Sequence, residues 1–226
     1  MRRSVIVILA LVVSTCASTS ADQRRIFDDV PAVIDMNARY LFHMHGLIIE
    51  LQGVNAQGWY GQYKYRWTIE ALADRGFDVI SEARSRTQVL AYANVVAGQV
   101  AKLRAAGVPA DHITVTGISK GGEITVLTTA AIGDPDVRFV VMAGCGRRDV
   151  FNVTGALQKI GRRPQGRVLS IYDRHDTEAG SCARYLTEGP GLTFKETVLD
   201  VGRGHALFYT PERAWLDPVT DFALGR

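Results

Sequence analysis

Histidine and cysteine are scarce in this 226-residue chain, with five of the first and three of the second. His43 and His45 share one face of a strand, but no third ligand follows at a compatible spacing, so no metal site is expected. Proline (7) and glycine (22) together fall far short of collagen-like or low-complexity levels, and no segment repeats. Disorder and solenoid arrays are thereby excluded. No block of lysine and arginine interleaved with aromatics appears, which argues against a nucleic-acid surface. No apolar run reaches the roughly 20 residues that a membrane span requires. What remains is 47% apolar and 22% charged, the composition of one globular domain. Its core is large enough to need neither disulfide nor metal for stability, and its length falls below the roughly 250 residues usual for a (β/α)₈ barrel.

The first residues carry a pattern distinct from the rest of the chain. Arg2 and Arg3 precede the apolar run Val5 to Val13, and small residues follow to Ala21. This is the pattern of a secretory signal peptide over residues 1–21, leaving 22–226 as a single domain. Val13-Ser14-Thr15-Cys16 also looks like a lipoprotein box, although Thr15 departs from the small residue preferred before the cysteine, so a lipid anchor at Cys16 stays open as the alternative. Removal of residues 1–21 deletes two arginines and no acid, and the formal charge drops from +3 to +1. Export, to a periplasm or the medium, permits disulfides.

Apolar runs alternate with turn residues from residue 39 onward. Strands are expected at 39–45, 77–83, 112–118, 137–143, 168–172 and 194–201. Helices are expected at 67–74, 87–106, 120–132, 150–160 and 179–186. The chain closes with a helix that starts at Thr210-Pro211 and is interrupted and restarted at Asp217-Pro218. In the long helix Val89, Tyr92, Val96, Val100 and Leu103 fall on one stripe. Six apolar strands alternating with helices imply an α/β fold, a mostly parallel sheet covered on both faces. Ligands of such sheets bind beyond the carboxyl ends of the strands.

The strand at 112–118 runs into Gly117-Ile118-Ser119-Lys120-Gly121, a G-x-S-x-G pattern between a strand and a helix. Glycines on both sides of Ser119 relieve the crowding of so tight a turn, and the hydroxyl then projects above the sheet beside the helix start. An ordinary glycine-rich turn with a capping serine is the plainer reading. A serine nucleophile needs a base, and His205 sits after the last strand between Gly204 and a loop able to curl over the sheet end. The acid should follow the penultimate strand, where Asp173 and Asp176 both stand. Asp176 is preferred because the loop must turn away before a carboxylate can swing back, and Asp173 remains the alternative. The order Ser119, Asp176, His205 is that of the α/β-hydrolases rather than of chymotrypsin or subtilisin.

His45-Gly46 closes the first strand, and the Leu47 amide is placed to join that of Lys120 in an oxyanion hole. Gly53 to Tyr65 is a long loop carrying Trp59, Tyr60, Tyr63 and Tyr65, which either line a substrate pocket or pack the loop onto the domain. Arginines collect after strands at Arg84, Arg86, Arg147, Arg148, Arg174 and Arg203. Convergent guanidinium groups suit a carboxylate or phosphate on the substrate; surface loops carry arginines in any case, and both readings stand.

The segment from about Tyr40 to Phe222 resembles an α/β-hydrolase and is similar to the small, capless, dienelactone-hydrolase-like members. The resemblance rests on GISKG at Ser119, the histidine after the last strand, the acid after the preceding one, and the HG turn at Gly46. Three departures stand out. Asp173 occupies the glycine position of the usual I-x-G-x-x-D pattern, the HG turn lacks the further glycines of HGGG lipases, and residues 22–38 are too few and polar for the fold's first two strands. In this fold Cys145 and Cys182 follow neighbouring strands, and a disulfide between them is expected. The stretch where larger relatives insert a lid holds only about one helix. The resemblance implies a serine hydrolase that cleaves a carboxylic ester, thioester or amide of a small molecule through an acyl-enzyme and without a cofactor. A non-catalytic exported binding domain and an acyltransferase with the same triad are the alternatives.

Overall fold

The computed structural model describes residues 25–226; the expected signal peptide and Cys16 lie outside them. Seven strands form one sheet in the order β1-β5-β2-β6-β7-β8-β9. They are β1 Ile26–Phe27, β2 Tyr40–Met44, β5 Asp78–Ile80, β6 Ile113–Ile118, β7 Arg138–Met142, β8 Gly166–Asp173 and β9 Leu192–Leu199. Every pair in the sheet is parallel. The six expected strands are present, and a two-residue seventh forms the trimmed edge from residues too polar to build more.

Alternating side chains divide the core between the two faces of the sheet, as the period of two requires. Tyr40, Phe42, Ile113, Val115, Phe139 and Val141 meet α3 Val89–Ala105, α4 Lys120–Ile132 and α5 Val153–Ile160. Leu41, Val79, Val140, Met142, Leu169 and Ile171 meet the other face, where α1 Leu47–Gln52, α2 Tyr65–Ala73 and α6 Arg213–Leu224 lie. A small hairpin, β3 Gln57–Gly58 and β4 Gly61–Gln62, stands apart from the sheet. The chain leaves β2 for β5 on one side and returns through α3 to β6 on the other. That reversal opens a crevice beyond the ends of β2 and β6, where Met44 pairs with Gly117.

Three elements differ from expectation. Residues 47–52 form α1, a helix too short to show a periodic stripe. The segment 179–186 is a loop with a single turn, Leu186 N–H donating to Cys182 O at 3.0 Å. Ala179, Cys182 and Leu186 are buried at helix-like spacing, yet a bridge from Gly146 to Ala179 and the disulfide hold them. The last helix begins at Arg213 rather than Thr210 and runs through Pro218 without a break, its apolar face of Trp215, Leu216, Val219 and Ala223 packed on the sheet. Among the described residues no cap domain interrupts the sheet, and no helix is long and apolar enough to cross a membrane.

Candidate active site

Ser119 sits at the sharp turn between β6 and α4 with φ 54° and ψ −123°, a conformation that L side chains rarely adopt. Such a residue costs on the order of 1–3 kcal/mol and persists only where its surroundings over-determine it. Here they do. A Cβ on Gly117 would fall 2.1 Å from the Gly121 carbonyl oxygen, and one on Gly121 would fall 2.1 Å from that of Met44. Only glycine fits at either position, and the serine N–H is tied to Met142 O at 2.9 Å. The turn therefore presses against the ends of both neighbouring strands.

His205 follows β9 in a short 3-10 segment, Gly204–Tyr209. Its Nδ1 lies 2.9 Å from Asp176 Oδ2, with the histidine 5% exposed and the aspartate 1%. A carboxylate only accepts, so Nδ1 carries the hydrogen and Nε2 keeps a lone pair in the neutral ring. Burial pushes the Asp176 carboxyl up, but the bond to His205 and the N–H groups of Ala179 and Glu178 outweigh it and leave its pKa below the usual value. Asp173 is also buried, yet its oxygens accept from the His175 and Arg203 amides, which makes it the former of the turn that delivers Asp176.

A cavity of about 620 Å³ joins these parts, the size of a small organic ligand. Ser119, His205, Gly46, Leu47 and Lys120 all line it. Leu47 opens α1 and Lys120 opens α4, and first-turn amides have no acceptor within their own helix. A Cβ on Gly46 would stand 3.4 Å from Ser119 Cβ, so the two turns are in contact.

The loop aromatics divide between the two roles left open for them. Trp59 and Tyr60, at the tip of the β3–β4 hairpin, line the cavity, and Tyr60 lies 5.9 Å from the His205 ring. Tyr63 lines it while buried, and Tyr65 packs in the core with its hydroxyl on Ser81. Sequence reading passed over Glu123, Val150, Phe151, Glu178 and Tyr209, which also line the cavity. Only Glu123 had a signal to offer, a carboxylate one helical turn after Ser119.

The expected arginine cluster needs correction. Arg84 is 2% exposed and committed to Glu50 and to the His45 carbonyl oxygen. Arg174 is exposed and pairs with Asp200 at 3.3 Å, and Arg203 pairs with Glu212. Arg86 is exposed and stands outside the cavity lining. Strand ends are spread across the width of the sheet, so a position after a strand does not imply convergence. Arg147 and Arg148 do line the cavity. Arg147 also donates to the Asp176 carbonyl oxygen at 2.9 Å.

His43 and His45 are buried, and burial together with the Arg84 charge pushes both imidazoles down to about 3. They stay neutral at ordinary pH. His43 bonds Thr116 Oγ1, while His45 Nδ1–H donates to Gly46 O and its Nε2 accepts the Arg84 N–H. The disulfide joins Cys145 to Cys182, with Cα atoms 5.2 Å apart.

No protein-family model matches the chain, and no curated protein matches it in sequence. Its architecture is nevertheless shared with solved structures. An arylesterase superposes with a TM-score of 0.53 at 16% identity, covering 86% of this chain and 77% of that one. Est1E from Butyrivibrio proteoclasticus gives 0.54 at 12% identity, covering 87% and 91%. A bifunctional GH43-CE protein of Bacteroides eggerthii gives 0.53 at 15% identity, but there the match covers 87% of this chain and only 35% of the longer one. A seven-stranded parallel sheet, helices on both faces and these likenesses give the chain the α/β-hydrolase fold.

Proposed function

We propose that this α/β-hydrolase-fold chain is a serine hydrolase that cleaves a carboxylic ester, or less readily a thioester or amide, through an acyl-enzyme. The observation that carries the reading is the buried 2.9 Å contact of His205 Nδ1 with Asp176 Oδ2, on the wall of a cavity that also holds Ser119 at φ 54°. That an arylesterase has the same fold agrees with it.

In this reading His205 Nε2 takes the Ser119 hydroxyl proton as Oγ attacks the ester carbonyl carbon. The carbonyl oxygen becomes an oxyanion held by the Leu47 and Lys120 amides, each contributing roughly 3 kcal/mol of barrier lowering. His205 returns the proton to the departing alcohol, and Asp176 keeps the imidazole in the tautomer that can accept it. Water then repeats the sequence on the acyl-enzyme and frees the acid. The substrate is a small molecule sized to the cavity, and Arg148 and Arg147 favour one with an anionic group near the scissile bond. The disulfide agrees with an exported domain at 22–226, released from a signal peptide at 1–21.

An active-site fluorophosphonate tests the reading: covalent labelling of Ser119, lost in Ser119→Ala, together with turnover of p-nitrophenyl esters. Folded protein that does not label overturns it in favour of a binding domain. Ester products formed on adding alcohol, in preference to hydrolysis, make the same triad an acyltransferase.

A further inference from the structure

The Glu50 side chain on α1 is fully buried, where an isolated carboxylate would be costly. Two cations meet it. Its Oε1 accepts from Arg84 Nε at 2.8 Å and its Oε2 from Lys120 Nζ at 2.5 Å, with Arg84 2% and Lys120 4% exposed. Lys120 Nζ also donates to Thr87 O at 2.7 Å. Arg84 continues the network to the other side, its backbone N–H donating to His45 Nε2 at 3.0 Å and its guanidinium to His45 O. His45 Nδ1–H in turn donates to Gly46 O at 2.9 Å, and the Gly46 carbonyl belongs to the same peptide as the Leu47 N–H.

These contacts join the two backbone turns that meet at Ser119. Lys120 is the residue after Ser119, and Glu50 lies one turn into the helix that Leu47 begins. We infer that Glu50 is a positioning residue: by gripping Lys120 and Arg84 it sets the separation and tilt of the Leu47 and Lys120 amides around the developing oxyanion. The inference rests on the hydrolase reading above. None of the three side chains needs to touch substrate, because each acts through the peptide it anchors. Hydrogen bonds to an oxyanion depend on placement, and a misplacement of about 1 Å costs up to about 100-fold in rate.

The test compares Glu50→Gln, Lys120→Met and Lys120→Arg with the full-length wild type, each verified as folded by circular dichroism. Lys120→Met leaves Glu50 paired with Arg84, so it carries the test should Glu50→Gln fail to fold. The expected result is a fall of about 10- to 100-fold in kcat for Glu50→Gln and Lys120→Met, with KM within about twofold. Fluorophosphonate labelling of Ser119 should slow in parallel, and Lys120→Arg should recover most of both rates. A purely structural role would lower the melting temperature without that split. Wild type that labels, beside folded variants that label and turn over equally fast, overturns this inference alone. Wild type that never labels removes the hydrolase reading, and this inference with it.

Discussion

Gly122 and Gly144 meet backbone to backbone: a Cβ on Gly144 would lie 2.4 Å from Gly122 Cα, and one on Gly122 would lie 2.5 Å from Gly144 Cα. This contact seats the first turn of α4 on the end of β7 and so sets the height of Ser119 above the sheet. Alanine at either glycine must push the helix away, at a cost of about 1–3 kcal/mol. Thermal unfolding should show each substitution lowering the midpoint, and the double substitution should cost less than their sum because one displacement serves both. Full additivity would mean that the two backbones do not share a constraint.

The strained turn predicts opposite effects of one substitution on activity and stability. Ser119→Gly removes the side chain that resists φ 54° and should raise stability by about 1 kcal/mol while abolishing esterase turnover. Asp176→Asn should keep the fold but lower kcat by about 10⁴-fold, since the amide turns the imidazole to the wrong tautomer. Urea titrations and p-nitrophenyl ester assays read both. A Ser119→Gly protein less stable than wild type would contradict the strain argument.

Two buried carboxyls pull the pH dependence of stability in opposite directions. Burial, with the nearby Asp149 charge adding to it, raises Glu123 from its ordinary 4.5 to about 8. The native state holds a proton there that the unfolded chain releases, so this stabilisation is full below 4.5 and is lost as pH rises through about 8. Glu123→Gln cannot ionise, and its stability relative to wild type should climb across that window by a few kcal/mol at most and then level off. Asp176 behaves conversely. Its lowered pKa supplies stability above the unfolded value of about 3.9 that disappears as pH falls through the folded one. Urea midpoints of Glu123→Gln that track wild type at every pH would sink the first claim.

The disulfide bears on the site as well as on the fold. Cys145 and Cys182 are 37 residues apart, a loop whose closure contributes about 4 kcal/mol in the chain-entropy account. It links the end of β7 to the segment whose Glu178 and Ala179 amides hold Asp176 Oδ1. Cys145→Ser/Cys182→Ser protein should melt lower and also lose esterase activity at temperatures where it remains folded. Inactivation that coincides with unfolding, with no earlier loss, would confine the bridge to a stabilising role.

Large apolar side chains gather at the cavity mouth, where Leu51, Trp59 and Val150 are 47%, 96% and 73% exposed. Each methylene buried there is worth about 0.8 kcal/mol, close to fourfold in kcat/KM. A p-nitrophenyl series from acetate to octanoate should therefore rise until the rim is covered, and Trp59→Ala should blunt the rise. A flat series would show that substrates do not lie across these residues.

The sheet was legible because its inner strands are largely apolar and buried, each ended by a glycine or a polar turn, and buried parallel strands require that pattern. G-x-S-x-G was legible because the crowding that demands its glycines is local. The loop at 179–186 was misread as helical because burial at steps of three and four mimics a helix stripe when a disulfide and a bridge provide the anchor. Arg84 was misplaced for a related reason. Its partner Glu50 lies on α1, six residues that no periodicity announces, and without that partner a buried arginine cannot be told from an exposed one.

By itself the order of residues determined the layered parallel architecture, the sharp turn at residue 119 and the separation of its candidate partners along the chain, since each follows from hydrophobic period or short-range sterics. Only the tertiary structure decided that Asp176 rather than Asp173 reaches His205, that Arg147 and Arg148 alone among the noted arginines line the cavity, and that Glu50 lies between Arg84 and Lys120. These are contacts between loops and helices distant in sequence. Their distances are set by how the helices settle on a twisted sheet, a cooperative packing outcome that no local pattern encodes.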